Sequence, residues 1–170
     1  MDADKDKSGR ILDELKRRRD RGNAVDVEEE RIKLVIFSLL NGYYAFHGNY
    51  VKEILPVGSI FYVPGAPDFI LGVVNIRGDI ESVIAINKFL GLPGQGVMQS
   101  SRIAIASTDE MRSGILVDSI EDVIDVPVSA LKPPIATLDQ SRKEFVAGEF
   151  TCDGKNITLL DIGRIFGKIV

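Results

Sequence analysis

The sequence contains no tryptophan, one cysteine and one histidine among its 170 residues. The single cysteine, Cys152, excludes an internal disulfide bond and fits a reducing compartment. The single histidine, His47, lies far from it in the sequence, so the chain lacks the spacing of histidine and cysteine ligands that marks a zinc site. We therefore expect no bound metal and no cofactor.

Targeting, membrane and nucleotide-binding motifs are also missing. The first ten residues, MDADKDKSGR, have no apolar core of a signal peptide, and no apolar run approaches the ~20 residues of a membrane span. Neither a phosphate-binding loop nor a GxGxxG motif occurs. The formal net charge is −4, and no basic stripe lies outside the N-terminus, which argues against nucleic acid as a partner. These absences predict a cytoplasmic protein without direct membrane insertion.

The residues that could carry catalysis do not form a catalytic pattern. His47 lies in the strand-like run YYAFHGN, where a lone histidine is more often structural, and Cys152 stands beside the turn residue Asp153. A hydrolase that uses Cys152 and His47 is the enzymatic alternative, but no motif supports it. We predict a binding module that is not an enzyme.

The first 33 residues differ in composition from the rest of the chain. They hold ten cationic and ten anionic side chains and no aromatic one, so they bury too little apolar surface to offset the entropy of ordering. Ile11, Leu12 and Leu15 are spaced along one helical stripe, which predicts a short helix over residues 9–21. The alternative is a disordered charged tail.

Residues 34–170 read as short β-strands separated by turns, which is typical of barrels or a sandwich. Strands are predicted over residues 34–39 and 43–47, with a hairpin turn at Asn41 and Gly42. The pattern falls into two similar halves, the second beginning at Arg102. Because barrels of about 65 residues would be marginal alone, we expect them to share a hydrophobic seam.

The centre of this region is the stretch LGVVNIRGDIESVIAI, residues 71–86. It predicts strands over 71–76 and 80–86 around a turn formed by Arg77, Gly78 and Asp79. The first strand is apolar enough to be buried on both faces. Arg77 is either a solvated turn residue or an anchor in a protein interface, where arginine is enriched.

The run Gly72-Val73-Val74-Asn75-Ile76-Arg77-Gly78 resembles the G-V-x-N-L-R-G strand and turn of the CheW-like family, the coupling proteins of bacterial chemotaxis. Other pieces match in the same order. They are the opening strand at 34–39, Tyr44, the V-x-E-I element at 51–54, the P-x-x-P-x-F-I-x-G lead-in at 64–72, G-x-x-V-D-x-V at 114–120, Val123, Gly148 and L-L-D-I at 159–162. Several motifs in the right order are specific, although each alone is weak.

The resemblance implies a mostly β domain over residues 34–170, made of two intertwined, five-stranded, SH3-like barrels with short helices, preceded by the charged extension 1–33. It implies no enzyme activity and a role as an adaptor that couples chemoreceptors to the histidine kinase CheA. The positions that correspond to the contact with the CheA regulatory domain are Val51, Glu53 and Gly72. Those that correspond to coupling with the cytoplasmic tip of methyl-accepting chemoreceptors are Arg77, Gly78, Gly114 and Val123.

Two positions depart from the family pattern. After the turn the family has V-x-P-V-x-D-L, whereas Ser82 stands here in place of proline and Ala85 in place of aspartate. These residues shape the strand and its end. The alternative function is therefore a divergent CheW-like scaffold in a non-flagellar pathway that no longer couples receptors.

Overall fold

The computed structural model describes residues 13–14, 29–94, 96–134 and 140–169. Contacts divide the chain into two units, Met1–Arg31 and Ile32–Val170. In the first unit Asp13 and Glu14 are helical and exposed. Both lie inside the helix predicted over residues 9–21, and the rest of that prediction falls outside the described residues. No helix in the described ranges is long and apolar enough to cross a membrane.

The described part of the chain is built mainly from strands. They are β1 (Arg31–Leu39), β2 (Gly42–His47), β3 (Val51–Pro56), β4 (Ile70–Ile76), β5 (Asp79–Ile84), β6 (Arg102–Ser107), β7 (Arg112–Val117), β8 (Ser119–Pro127), β9 (Val146–Cys152) and β10 (Lys155–Leu160). Two short α-helices, α1 (Gln140–Lys143) and α2 (Ile162–Ile169), lie near the C-terminal end.

The strands form two five-stranded sheets, as predicted. The first has the order β8-β1-β2-β10-β9 and the second the order β3-β6-β7-β5-β4. We call them the first and second barrel. The two barrels are not successive halves of the chain, so the predicted division at Arg102 is wrong. The second barrel is a continuous insertion between β2 and β8, and the first is assembled from the strands on either side of it.

Each barrel is closed by a short backbone bridge between its two outer strands. In the second barrel, Phe61 follows β3 and pairs with Val73 of β4, and its N–H donates to the Val73 carbonyl at 2.8 Å. A Cβ atom on Gly72, whose φ is +154°, would collide with the Phe61 carbonyl oxygen. In the first barrel Lys132 follows β8 and bridges to β9, where a Cβ on Gly148 would lie 2.9 Å from the Lys132 carbonyl oxygen. Equivalent glycines thus allow both closures.

The turn between β1 and β2 lies one residue earlier than predicted. Leu40 and Asn41 form it, and Gly42 already belongs to β2. Leu40 has φ +53°, and its N–H donates to Oδ2 of the buried Asp118 at 2.6 Å. The Asp118 N–H in turn donates to the Ser38 carbonyl at 2.9 Å. Because Asp118 links β7 to β8, these bonds fix the point at which the chain passes from one barrel to the other.

A hydrophobic seam joins the two barrels, which confirms that prediction. Phe37 and Phe46 from the first barrel, Ile84 and Ile115 from the second, and Phe166 of α2 all belong to one buried cluster. Separate clusters fill each barrel. The first contains Leu34, Ile36, Phe150, Ile157 and Leu159, and the second contains Val74, Val83, Ile103, Ile105 and Leu116. Alternation along β1 explains this, since Leu34 and Ile36 face the barrel interior while Phe37 and Leu39 belong to the seam.

The prediction that residues 71–76 are buried on both faces is wrong. Gly72 and Val74 are buried, but Val73 is only partly buried and Asn75 is exposed. β4 is an outer strand of the second barrel. Only its first residue, Ile70, packs against the seam, so beyond it the second face borders solvent.

Candidate functional site

The turn between β4 and β5 presents Arg77 at the surface. Arg77 and Gly78 have φ values of +52° and +90°, the combination required by a tight two-residue hairpin turn. The Asn75 side-chain oxygen accepts a hydrogen bond from the Gly78 N–H at 2.9 Å, and this bond stabilises the turn. Asp79 begins β5 and is not part of the turn, contrary to the prediction. The Arg77 side chain is 69% exposed.

Arg77 forms a two-point ion pair with Glu53 of β3. Its Nη1 donates to Glu53 Oε1 at 2.8 Å and its Nη2 to Oε2 at 2.5 Å. This parallel arrangement is the geometry that best matches a guanidinium to a carboxylate. The hydrogen bond from Arg77 is the main reason that the pKa of Glu53 lies below its ordinary value, and the same bond raises the pKa of Arg77. Arg77 is thus both exposed and held in one orientation.

A second ion pair, which was not predicted from the sequence, lies near the first. Arg112 of β7 donates through Nε to Glu81 Oε1 of β5 at 2.7 Å. The Arg112 charge also lowers the pKa of Glu53. The sequence gives only a weak signal for this pair. Glu81 is a charged residue two positions before the buried Val83, so it lies on the face of β5 that points into the barrel.

Two of the predicted contact residues are buried glycines. A Cβ on Gly72 would collide with the Phe61 carbonyl, and one on Gly114 would lie 2.7 Å from Ile103 Cγ2. Val51 is partly buried and packs against the seam. The two glycines allow close packing within the second barrel and Val51 packs against the seam, and a direct contact role for all three stays a prediction.

Val123 is the one predicted contact residue outside the second barrel. It lies on β8 of the first barrel and is 48% exposed. Its neighbour Ile124 packs against the interior of that barrel. The alternation of β8 therefore presents the Val123 side chain to solvent.

The serine that replaces the family's proline has a specific partner. Ser82 Oγ lies 2.8 Å from Ser113 Oγ, and Ser113 Oγ also donates to the Ser82 carbonyl at 3.1 Å. These bonds join β5 to the neighbouring β7. At the other departure, the Ala85 N–H donates to the Phe69 carbonyl at 2.8 Å. Of these bonds, the one between the two serine hydroxyls is the one that a proline at position 82 could not make.

Apolar surface lies on the second barrel near the Arg77 turn. A groove of about 290 Å³ opens between β3 and β4, and its lining includes Leu55, Ile76 and Arg77. Ile80, on the other strand of the hairpin, is 64% exposed, and Phe61 is 60% exposed. Exposed apolar side chains next to oriented charges are typical of protein interaction surfaces.

The structure contradicts a catalytic pair of Cys152 and His47. Cys152 pairs with Lys155, the first residue of β10, whereas Leu160 at the other end of β10 pairs with Phe46, the neighbour of His47. The two side chains are therefore separated by the length of β10, about 17 Å. A thiol and an imidazole must lie within hydrogen-bond reach to act together.

Comparison with known proteins is consistent with the two-barrel fold. A model of the CheW-like domain family matches residues 33–170. The chemotaxis protein CheW of Bacillus subtilis is 33% identical over 100 residues, which cover 59% of this chain and 64% of that protein. The chemotaxis protein CheW of Treponema pallidum is 26% identical over 147 residues, covering 84% of this chain and 86% of that protein. The crystal structure of the scaffolding protein TtCheW from Thermoanaerobacter tengcongensis matches with a TM-score of 0.69 and 31% identity, over 80% of this chain and 88% of that one.

Proposed function

The chain belongs to the CheW-like family, and from this premise we propose that it is a cytoplasmic, non-enzymatic adaptor that couples chemoreceptors to the histidine kinase CheA. Its relatives include chemotaxis proteins and a scaffolding protein. An adaptor acts by presenting two or more docking surfaces in a fixed relation, so the proposal depends on the rigidity of the surfaces that the two barrels share.

The observation that carries the proposal is the bond between Glu53 and Arg77. Through the family resemblance, Glu53 corresponds to the kinase contact and Arg77 to receptor coupling. Here the two side chains are joined by two hydrogen bonds, at 2.8 and 2.5 Å. A partner that engages either residue therefore acts on a group that the other holds in place.

The kinase surface is proposed on the outer side of the second barrel, around β3 and the β4–β5 hairpin. Ile80, close to the turn, and Phe61, which pairs with Val73 further along β4, supply exposed apolar area on this barrel. Apolar and aromatic side chains provide most of the affinity in such interfaces. Charged pairs at the edge mainly fix orientation and speed association. Glu53 and Arg77 have that second role in the proposal.

The receptor surface is proposed along the boundary between the barrels. A hollow of about 70 Å³ lies there, and its lining includes Leu39 of β1, Leu116 of β7 and polar side chains such as Asp118. The exposed Val123 is on the first barrel and Arg77 on the second. An amphipathic helix, such as the helical tip of a receptor, binds such a boundary through apolar residues on one face.

Calorimetric titration tests both contacts separately. The CheA regulatory domain and a cytoplasmic receptor fragment from the same source are each titrated into the purified protein. The proposal expects saturable binding of both, and weaker binding of both by the Arg77→Met variant. Arg164→Met is the matched control, because Arg164 of α2 is a similarly exposed arginine that is paired with Asp161, just before that helix.

The outcomes of that titration separate the candidate functions. No heat of binding to a correctly folded protein at roughly 100 μM of either partner would contradict the adaptor role. Binding of the kinase domain without binding of the receptor fragment would instead support the divergent scaffold.

A further inference from the structure

The outer face of the second barrel continues beyond the seam and carries apolar side chains there. Residues paired across a sheet project to the same face. Val73 is paired with Ser82 of β5 on one side and with Phe61 on the other. Its neighbour Val74 belongs to the core inside the barrel. Since successive strand residues point to opposite faces, Val73 and the two residues paired with it face outward.

Ile80 lies on the same outer face. It precedes Ser82 by two positions on β5, and it is paired with Asn75, which follows Val73 by two positions on β4. Ile80 is 64% exposed and Phe61 is 60% exposed. The two side chains stand on either side of β4, one on β5 and one on the segment that follows β3. This face therefore has an exposed apolar side chain at each edge and Val73 between them.

Another part of this outer face is already covered by a β-barrel. Ile84 follows Ser82 by two positions on β5 and therefore faces the same way. It belongs to the seam, together with Phe37 and Phe46 of the first barrel. The covered and the exposed parts thus form one continuous surface, and the covered part shows that this surface packs against a barrel.

The exposed part of the face carries no charge. Strand pairing places five residues on it, and all are neutral: Phe61, Val73, Asn75, Ile80 and Ser82. The chain as a whole has a formal net charge of −4, so two copies repel each other on the whole. Where identical surfaces meet, charges of one sign would face charges of the same sign, which is costly. A neutral apolar face avoids that cost, and this favours a second copy of the chain as its occupant.

We propose that this face binds a second copy of the chain in a two-fold symmetric contact. An axis that passes between Phe61 and Ile80 places Phe61 of each copy against Ile80 of the other, so the contact is made twice. Five residues are far fewer than the ~20–30 per side of a standard interface. Self-association is therefore weak, with a Kd on the order of 10–200 μM.

The dimer covers part of the surface that is proposed for the kinase, because Ile80 and Phe61 belong to both. Self-association and kinase docking therefore compete for one face of the second barrel. This consequence rests on the proposed function, whereas the dimer itself does not.

Analytical ultracentrifugation of the full chain tests the contact without any partner. From roughly 1 μM to 1 mM the wild-type protein should pass from monomer to dimer. Ile80→Glu and Phe61→Lys should each weaken association at least about tenfold, since each change is felt at both contacts. Val97→Glu is the control, because Val97 is an exposed apolar residue on the loop between β5 and β6, and it should associate like the wild type. Thermal unfolding checks the fold of each variant, and the serine variant of the same residue replaces one that does not fold.

Mixing the two variants tests the symmetry of the contact. A pair of one Phe61→Lys and one Ile80→Glu copy has opposite charges at one contact and the native side chains at the other. The mixture should therefore associate about three- to tenfold more tightly than either variant alone. A wild-type protein that stays monomeric at roughly 1 mM, an equal loss in Val97→Glu, or no gain in the mixture would overturn the proposal. Because no kinase is present, these outcomes are independent of whether the proposed function holds.

Discussion

Glu53 and Arg77 lie 24 residues apart in sequence, yet the guanidinium of one and the carboxylate of the other form two parallel hydrogen bonds at the surface. In the proposed function, Glu53 contacts the kinase and Arg77 couples to the receptor. Their bond offers a direct physical link between two functions that an adaptor must connect.

Replacing Arg77 should impair binding without unfolding the protein. Arg77→Met keeps much of the aliphatic stem and removes the exposed charge and its two bonds. Exposed ion pairs contribute little to stability, so the melting temperature should be nearly unchanged, while the affinity for the kinase domain falls about three- to thirtyfold. Thermal unfolding and calorimetry on the same samples check this. A large loss of melting temperature would show that Arg77 is structural instead.

The Glu53–Arg77 pair should be sensitive to acid in a defined direction. The folded-state pKa of Glu53 is lowered, mainly by the hydrogen bond from Arg77. The contribution of the pair is therefore present above the unfolded pKa of Glu53 and is lost as the pH falls through the lower folded value. NMR titration should show the Glu53 carboxyl titrating below an ordinary glutamate, and nearer to the ordinary value in Arg77→Met. Identical titration curves in the two proteins would refute this cause.

Substitution of the closing glycines should destabilise the barrels. Gly72→Ala places a methyl group against the Phe61 carbonyl at a φ of +154°, so we expect a loss of about 2–4 kcal/mol. Gly148→Ala, with 2.9 Å to the Lys132 carbonyl, should cost about 1–2 kcal/mol. Gly58→Ala is the control, because nothing lies within 4 Å of its Cβ position. Urea unfolding measures all three, and equal stability of Gly72→Ala and Gly58→Ala would contradict the closure model.

Loss of the Asp118 carboxylate should destabilise the connection between the two barrels. Asp118→Ala leaves the partly buried Leu40 N–H without its acceptor, which should cost about 1–2 kcal/mol. The exposed Asp125→Ala serves as the comparison. Hydrogen exchange at Leu40 should accelerate in Asp118→Ala and remain unchanged in the control. Unaltered exchange at Leu40 would argue against this role for the carboxylate.

The local features of the fold could be predicted from the sequence because they depend on local chemistry. Alternation of apolar residues indicates strands such as β1 and β2, and the Arg77-Gly78 pair indicates a tight turn. The motif over residues 72–78 then identifies the family and, with it, two barrels. The shared seam follows from size, since neither barrel alone buries enough apolar surface.

The candidate site could be predicted only in part because it depends on distant strands. Nothing in the local sequence says that β3 closes a barrel with β4, which is what brings Glu53 to Arg77. The same applies to Arg112 and Glu81, whose strands pair in parallel after a long connection. The division at Arg102 was wrong for a related reason: strands β9 and β10 return to the barrel that β1 and β2 begin.

The most direct test of the adaptor role is the rate of CheA autophosphorylation in a reconstituted mixture with receptor-containing membranes. The account predicts that receptors change the kinase rate only when this protein is present, and that Arg77→Met strongly reduces this coupling while Arg164→Met does not. A kinase rate that responds to receptors equally with and without the protein would contradict the account.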